Sequence, residues 1–169
     1  FGDNAPDAMN IYAIMLAQGR GGPQDRPQAR IWLERSAQAG HSGAMNNLAD
    51  MLRMGAGGPE DLPQARRWYE AGAQAGEIRA MSNYGAMLEG GIGGPTDLPE
   101  ARRWFEKAAQ GGERIAMYNL GLMLEQGQGG ALDLTQARHW YQQAAQAGLA
   151  PAAASLRALD ERENPQGTR

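Results

Sequence analysis

Trp32, Trp68, Trp104 and Trp140 are the only tryptophans of this chain, and each stands 36 residues after the one before it. Asp25, Asp61, Asp97 and Asp133 keep the same interval, as do Gly22, Gly58, Gly94 and Gly130, and Gly40, Gly76, Gly112 and Gly148. A fixed period of this length marks a stacked repeat architecture. The core of such a stack is a continuous strip between neighbouring units. Stacks of this kind present long surfaces to partners and seldom build a deep catalytic cleft.

One period, residues 44–76, gives the local structure. Ala44, Leu48, Met51, Leu52 and Gly55 recur at the spacing of one helical face, which predicts an amphipathic helix A. Gly55 follows its last turn, where a left-handed residue satisfies orphan carbonyls. Ala56-Gly57-Gly58-Pro59 is a loop that no helix tolerates. Asp61 and Gln64 have capping-box spacing and open helix B, with Pro63 in the first turn, where no N–H is needed. Asp25/Gln28, Asp97/Glu100 and Asp133/Gln136 repeat the device. Ala65, Tyr69, Gly72, Ala73 and Gly76 form the buried stripe of helix B, with Trp68 on its flank. Gly85 and Gly121, with Ala13 and Ala49 at the equivalent positions, let helix A lie close to a neighbour. The tryptophans are expected to fill the space between repeats, so that Trp68→Ala costs about 3–5 kcal/mol.

The expected architecture is all-α: a right-handed α-solenoid of four 36-residue helix–turn–helix repeats plus a C-terminal capping helix. The repeats fall at about 5–40, 41–76, 77–112 and 113–148, with a cap at 149–163, all in one domain over 1–163. Ala152, Leu156 and Leu159 continue the helix A pattern before Asp160-Glu161-Arg162-Glu163 turns it polar. Asn164-Pro165 is expected to end that helix and 164–169 to form a flexible tail.

Composition narrows the function. A net charge of −3 lacks the basic footprint of a nucleic-acid binder. The absence of cysteine excludes disulfides, zinc thiolate sites and thiol catalysis. No apolar run reaches the length of a transmembrane helix. The chain begins at Phe1 without Met, which fits removal of an export leader and an exported or periplasmic setting, with the cytoplasm as the alternative.

The pattern Ala-x-x-Asn-Leu-Gly-x-Met-Leu … Gly-x-Gly-Gly … Asp-Leu-x-x-Ala-x-x-Trp-Tyr-x-x-Ala-Ala-x-x-Gly, clearest at residues 116–148, resembles the Sel-one-like repeat, a relative of the tetratricopeptide repeat. Two features depart from it. Leu16, Leu52, Leu88 and Leu124 stand where an aromatic is often found late in helix A, and the cysteines that staple some secreted members are absent. The resemblance implies a right-handed superhelix with helix A on the concave side. It also implies an adaptor or scaffold role. Short exported bacterial members of the family include proteins that neutralise lipase-type toxins delivered by type VI secretion.

The residues that chemistry would need have structural explanations. His41 occupies a loop position and His139 the outer face of helix B, and both read as surface histidines. The aspartate series is accounted for by helix capping. Gly90-Gly91-Ile92-Gly93-Gly94 follows a helix and lacks the Lys-Ser/Thr of a phosphate loop. Asn47, Asn83 and Asn119 are expected to hydrogen-bond a neighbouring loop, and Arg67/Glu70 and Arg103/Glu106 to pair on a solvated face. No nucleophile–base pair is present, so no enzyme is expected, and no cofactor or metal.

The residues that vary between repeats point to the function. The helix A face opposite the buried stripe carries Asn10, Ile14, Asn46, Asp50, Arg53, Met54, Glu89, Tyr118, Leu122 and Glu125. A merely solvated face would be polar throughout, whereas Ile14, Met54, Tyr118 and Leu122 are apolar. These residues are expected to line a concave groove that binds another protein, with the chain itself a monomer when free. By resemblance, that protein is a secreted toxin whose active site is occluded. The alternatives are a signalling or assembly scaffold and a penicillin- or polysaccharide-interacting exported protein.

Overall fold

The computed structural model describes residues 5–163; the expectations for Asn164-Pro165 and the 164–169 tail lie outside them. Among the described residues there are nine α-helices: α1 (Ala5–Gln18), α2 (Arg26–Gln38), α3 (Ser42–Met54), α4 (Leu62–Gln74), α5 (Ile78–Gly90), α6 (Leu98–Gln110), α7 (Arg114–Gln126), α8 (Leu134–Gln146) and α9 (Ala150–Glu163). The class is the expected one, an all-α solenoid type of four helix–turn–helix repeats and a final helix. The chain divides into two compact units between Thr96 and Asp97.

In the first unit α1 packs on α2, α2 on α3, α3 on α4 and α4 on α5, and α3 also touches α5. The second unit repeats the scheme, α6 on α7, α7 on α8 and α8 on α9. Consecutive hairpins therefore stack in chain order within each unit.

The caps explain the helix boundaries. Asp25, Asp61, Asp97 and Asp133 each accept, through Oδ1, the backbone N–H three residues on, at 2.9–3.0 Å. Gly55 closes α3 at φ +63°. Gly57 (φ +75°) lies so close to the start of α2 that a Cβ there would stand 2.4 Å from the Arg26 carbonyl oxygen. Gly93 approaches Leu62, and Gly129 approaches Leu98, in the same way. Gly57, Gly93 and Gly129 thus recur because each of their loops rests on the helix B start of the preceding repeat. Arginine completes that contact: Arg30, Arg66 and Arg102 donate to the carbonyls of Pro59, Ile92 and Ala131.

The tryptophan expectation needs correction. Trp32, Trp68 and Trp140 are half-buried and only Trp104 is buried. The residue after each tryptophan is the deep one: Leu33, Tyr69, Phe105 and Tyr141 are 0–2% exposed. Helix geometry accounts for this, since the stripe through Ala65, Tyr69 and Ala73 centres on Tyr69 and leaves Trp68 to one side.

Candidate functional site

The candidate residues all come from the first helix of a pair. In the first unit α1 supplies Asn10 and Ile14, α3 supplies Asn46, Asp50, Arg53 and Met54, and α5 supplies Glu89. In the second, α7 supplies Tyr118, Leu122 and Glu125.

The first unit is organised around Tyr69. Its hydroxyl donates to Asp50 Oδ1 at 2.6 Å and accepts from Arg53 Nε at 3.3 Å. Burial, reinforced by the Asp50 carboxylate, holds the phenol well above its ordinary value, so it remains a donor. Asn46 is only 2% exposed. Its Nδ2 donates to Asp50 Oδ2 at 3.2 Å and its Oδ1 accepts from Asn83 Nδ2 at 2.9 Å. Asn46 therefore holds its neighbours and is not open to a partner, contrary to the sequence expectation. Asn47 Nδ2 donates in the same manner to Asn10 Oδ1 at 3.0 Å. Asn47 and Asn83 thus join helix A to helix A of the preceding repeat, not to a loop.

What remains open on this face is a mixture of apolar and charged groups. Arg53 is exposed, and Met54 is 61% exposed. Ile14 is half-buried and, with Ala17, Leu33, Asp50 and Met51, lines an open cavity of about 160 Å³. Glu89 is half-buried, has no ion pair among the described residues, and is pushed by burial above the usual carboxylate range.

The second unit is built around Tyr141, whose hydroxyl donates to Glu125 Oε2 at 2.6 Å. Arg162 of α9 pairs with the other Glu125 oxygen. Burial pushes Glu125 up, but the bonds from Tyr141 and Arg162 outweigh it and leave the carboxyl below its ordinary value. Tyr118 is half-buried with its ring 5.8 Å from that of Tyr141, and Leu122 is half-buried on the same helix.

Several residues behave otherwise than their sequence context suggested. His41 caps α3: its Nδ1 accepts from the Ala44 N–H at 2.9 Å, and its Nε2 lies 3.2 Å from Asp7. His139 is exposed beside Trp140, as expected. Arg103 reaches back to Glu100 at 2.9 Å instead of forward to Glu106. The tyrosine hydroxyls were missed as organisers of the face, because a buried stripe assigns Tyr69 and Tyr141 to packing without saying where their polar ends go. The arginines that hold the loops were also missed, although Arg30, Arg66 and Arg102 keep the 36-residue interval.

Among the described residues, no group of three or more His, Asp or Glu could hold a metal ion, and no helix is long and apolar enough to cross a membrane.

Four copies of the Sel1 repeat match the chain, over residues 6–41, 42–77, 78–113 and 114–149. The chain is similar to a protective antigen of uropathogenic Escherichia coli with an SLR fold, at 25% identity and a TM-score of 0.89, over 97% of this chain and 35% of that one. It is similar to a Sel1 repeat protein from Oxalobacter formigenes at 26% identity and a TM-score of 0.89, over 94% of this chain and 63% of the other. An immunity protein from Pseudomonas aeruginosa shares the fold at 24% identity and a TM-score of 0.62, over 94% of this chain and 60% of that one. The chain thus spans less than two thirds of the length of each of these proteins. No curated protein matches it. Because the matched repeats cover all but the two ends, the chain belongs to the Sel1 repeat family.

Proposed function

We propose that this chain is a protein-binding module that meets its partner on the exposed face of the first helix of each pair. The observation that carries the reading is the α3 face of the first unit. There Arg53 and Met54 are exposed beside Asp50, on a helix whose other side is buried. Arginine is among the favoured anchors of interfaces, and an exposed methionine adapts to an irregular partner surface. In the second unit Tyr118, Leu122 and Glu125 would add to the contact. Asn10, engaged with Asn47, supports the face from below, and Glu89 supplies a carboxylate for a cationic group of the partner.

Within that class the finer reading is an exported or periplasmic bacterial immunity protein. It would block the active site of a lipase-type toxin delivered by type VI secretion. Its support is the fold shared with the Pseudomonas aeruginosa immunity protein. Blocking of this kind is steric and needs no bond-making group.

The test begins with capture of the partner in the native bacterium and proceeds to titration of the captured protein. Arg53→Glu combined with Met54→Asp alters two exposed side chains; because Arg53 also donates to Tyr69, circular dichroism is recorded alongside and should keep the helical signal of the parent. Affinity is expected to fall about tenfold or more, equivalent to at least ~1.4 kcal/mol. Unchanged affinity would place the contact elsewhere. For the finer reading, co-expression with the candidate toxin should restore growth of a sensitive host, and the double variant should not.

A further inference from the structure

We propose that the cavity between Ile14, Leu33 and Asp50 is a binding site for one phenolic side chain, a tyrosine of the partner protein. The inference rests on the protein-binding reading above and deepens it by naming the group recognised.

The cavity exists because the first repeat lacks a ring that other repeats carry. Leu33, Tyr69, Phe105 and Tyr141 hold the same repeat position, and three of the four are aromatic. In the second repeat the Tyr69 phenol extends from α4 to Asp50 and Arg53 on α3. The residues at those two positions in the first repeat are Ile14 and Ala17. Both line the cavity, as does Leu33 itself. Leucine is too short to reach the turn of helix that a tyrosine reaches, so the space a phenol fills in the second repeat stays open in the first. The chain thus carries an internal cast of the ligand.

Size and chemistry agree with that cast. The cavity measures about 160 Å³. An apolar cavity of roughly 150 Å³ accepts a benzene ring. Asp50 is the one charged group in its lining. A carboxylate offers about four lone-pair sites, and Tyr69 and Asn46 occupy two of them. Gln18 and Asn47 are the neutral polar residues of the lining and the rest is apolar. The complement of such a mainly apolar hollow with a spare anionic acceptor is a ring bearing a hydroxyl donor.

The proposal predicts its own inhibitor in cis. Leu33→Tyr should place a phenol in the cavity, as Tyr69 does in the next repeat. It should fit, because Ala13 holds the repeat position that Ala49 holds in the repeat carrying Tyr69, and both alanines are fully buried. Ala17→Leu fills the same space from α1 and serves as a second variant if the first fails to fold.

The experiment uses p-cresol, the tyrosine side chain itself, and toluene, its counterpart without the hydroxyl. Each is titrated into the full chain while the methyl NMR signals of Ile14, Leu33 and Met51 are followed. Saturable shifts confined to these methyls are expected with p-cresol, weaker binding with toluene, and about a tenfold or greater loss of p-cresol affinity in both variants. Absence of saturation, equal affinity for toluene, or unaltered binding in the folded variants would each overturn the proposal. This readout needs no partner, so its failure is distinct from failure of the protein-binding reading. With the partner in hand, Leu33→Tyr should weaken the complex; a complex that tolerates the substitution while p-cresol binding is lost would also overturn it.

Discussion

The first unit satisfies the hydroxyl of Tyr69 with groups from one helix, Asp50 and Arg53 of α3. The second satisfies Tyr141 with Glu125 of α7, and its cation, Arg162, comes from α9. A buried phenol needs an acceptor, because an unmade bond at that depth costs about 1–3 kcal/mol. The acceptor does not have to sit at one fixed repeat position. Asp50 corresponds to Leu122, and Glu125 to Arg53. Exchanging the turn that carries the acid changes what the cluster ties together. In the first unit it rigidifies one hairpin and leaves Arg53 exposed on the outside. In the second it binds the final helix to the last repeat.

The harshest way to break this comparison is to remove the rings. Tyr69→Ala and Tyr141→Ala should each destabilise by about 3–5 kcal/mol, read as a shift in the urea midpoint, because each leaves a large cavity in a closed stripe. Trp68→Ala should cost less than either, since its ring is already partly in solvent. A tryptophan variant as damaging as the tyrosine variants would return the stack to the arrangement expected from sequence. In the second unit the ring also explains a glycine. A Cβ at Gly121 would stand 2.6 Å from Cε1 of Tyr141.

Removing only the hydroxyls sharpens the contrast. Tyr69→Phe should cost about 1–2 kcal/mol, because Asp50 then keeps only the Asn46 amide. Tyr141→Phe should cost less, about 0.5–1 kcal/mol, because Glu125 keeps a guanidinium. The reverse order in urea titrations would mean that the Arg162 contact contributes little. Hydrogen exchange gives an independent view. Arg162→Ala should speed exchange in the last turn of α9 and leave α3 unchanged.

The same exchange of positions explains what the sequence could and could not disclose. The helices, their caps and the order of packing follow from groups that recur every 36 residues, and a recurring group is visible without coordinates. Asp61 with Gln64 is such a signal, and so is the series Arg30, Arg66 and Arg102. The tyrosine clusters are not periodic. Their acids occupy two different turns, and one of their cations lies beyond the last full repeat, so no alignment of the repeats with one another brings them into register. The asparagine bonds run between residues 37 apart, one beyond the period, because they step sideways from one helix A to the next. Asn46 lies on the outer side of α3 taken as a single helix. In the stack, the flank of that face is covered by the neighbouring helix.

Glu89 and Glu125 bring the comparison to its finest scale, for they hold the same position in successive repeats and shift in opposite directions. Burial raises Glu89 above the usual carboxylate range, so in the window between its unfolded and folded values the folded state binds more protons. Stability there falls as pH rises, and the penalty is fully present above the folded value. Glu125 ends below its ordinary value. Its contribution is present above the unfolded value and is lost as pH falls through the lower folded value. Glu125→Gln should therefore destabilise by about 1 kcal/mol at pH 7 and have less effect in acid. Glu89→Gln should do the opposite, raising Tm at pH 7 by less than about 2 °C. That gain should vanish once the pH drops below the ordinary carboxylate value, where the wild-type carboxyl is protonated in both states. Thermal melts of both variants across that range would decide the matter. A Glu89→Gln protein that is less stable than wild type at neutral pH would mean that Glu89 already has a stabilising partner, and it would remove this carboxylate from the surface proposed to await a cation.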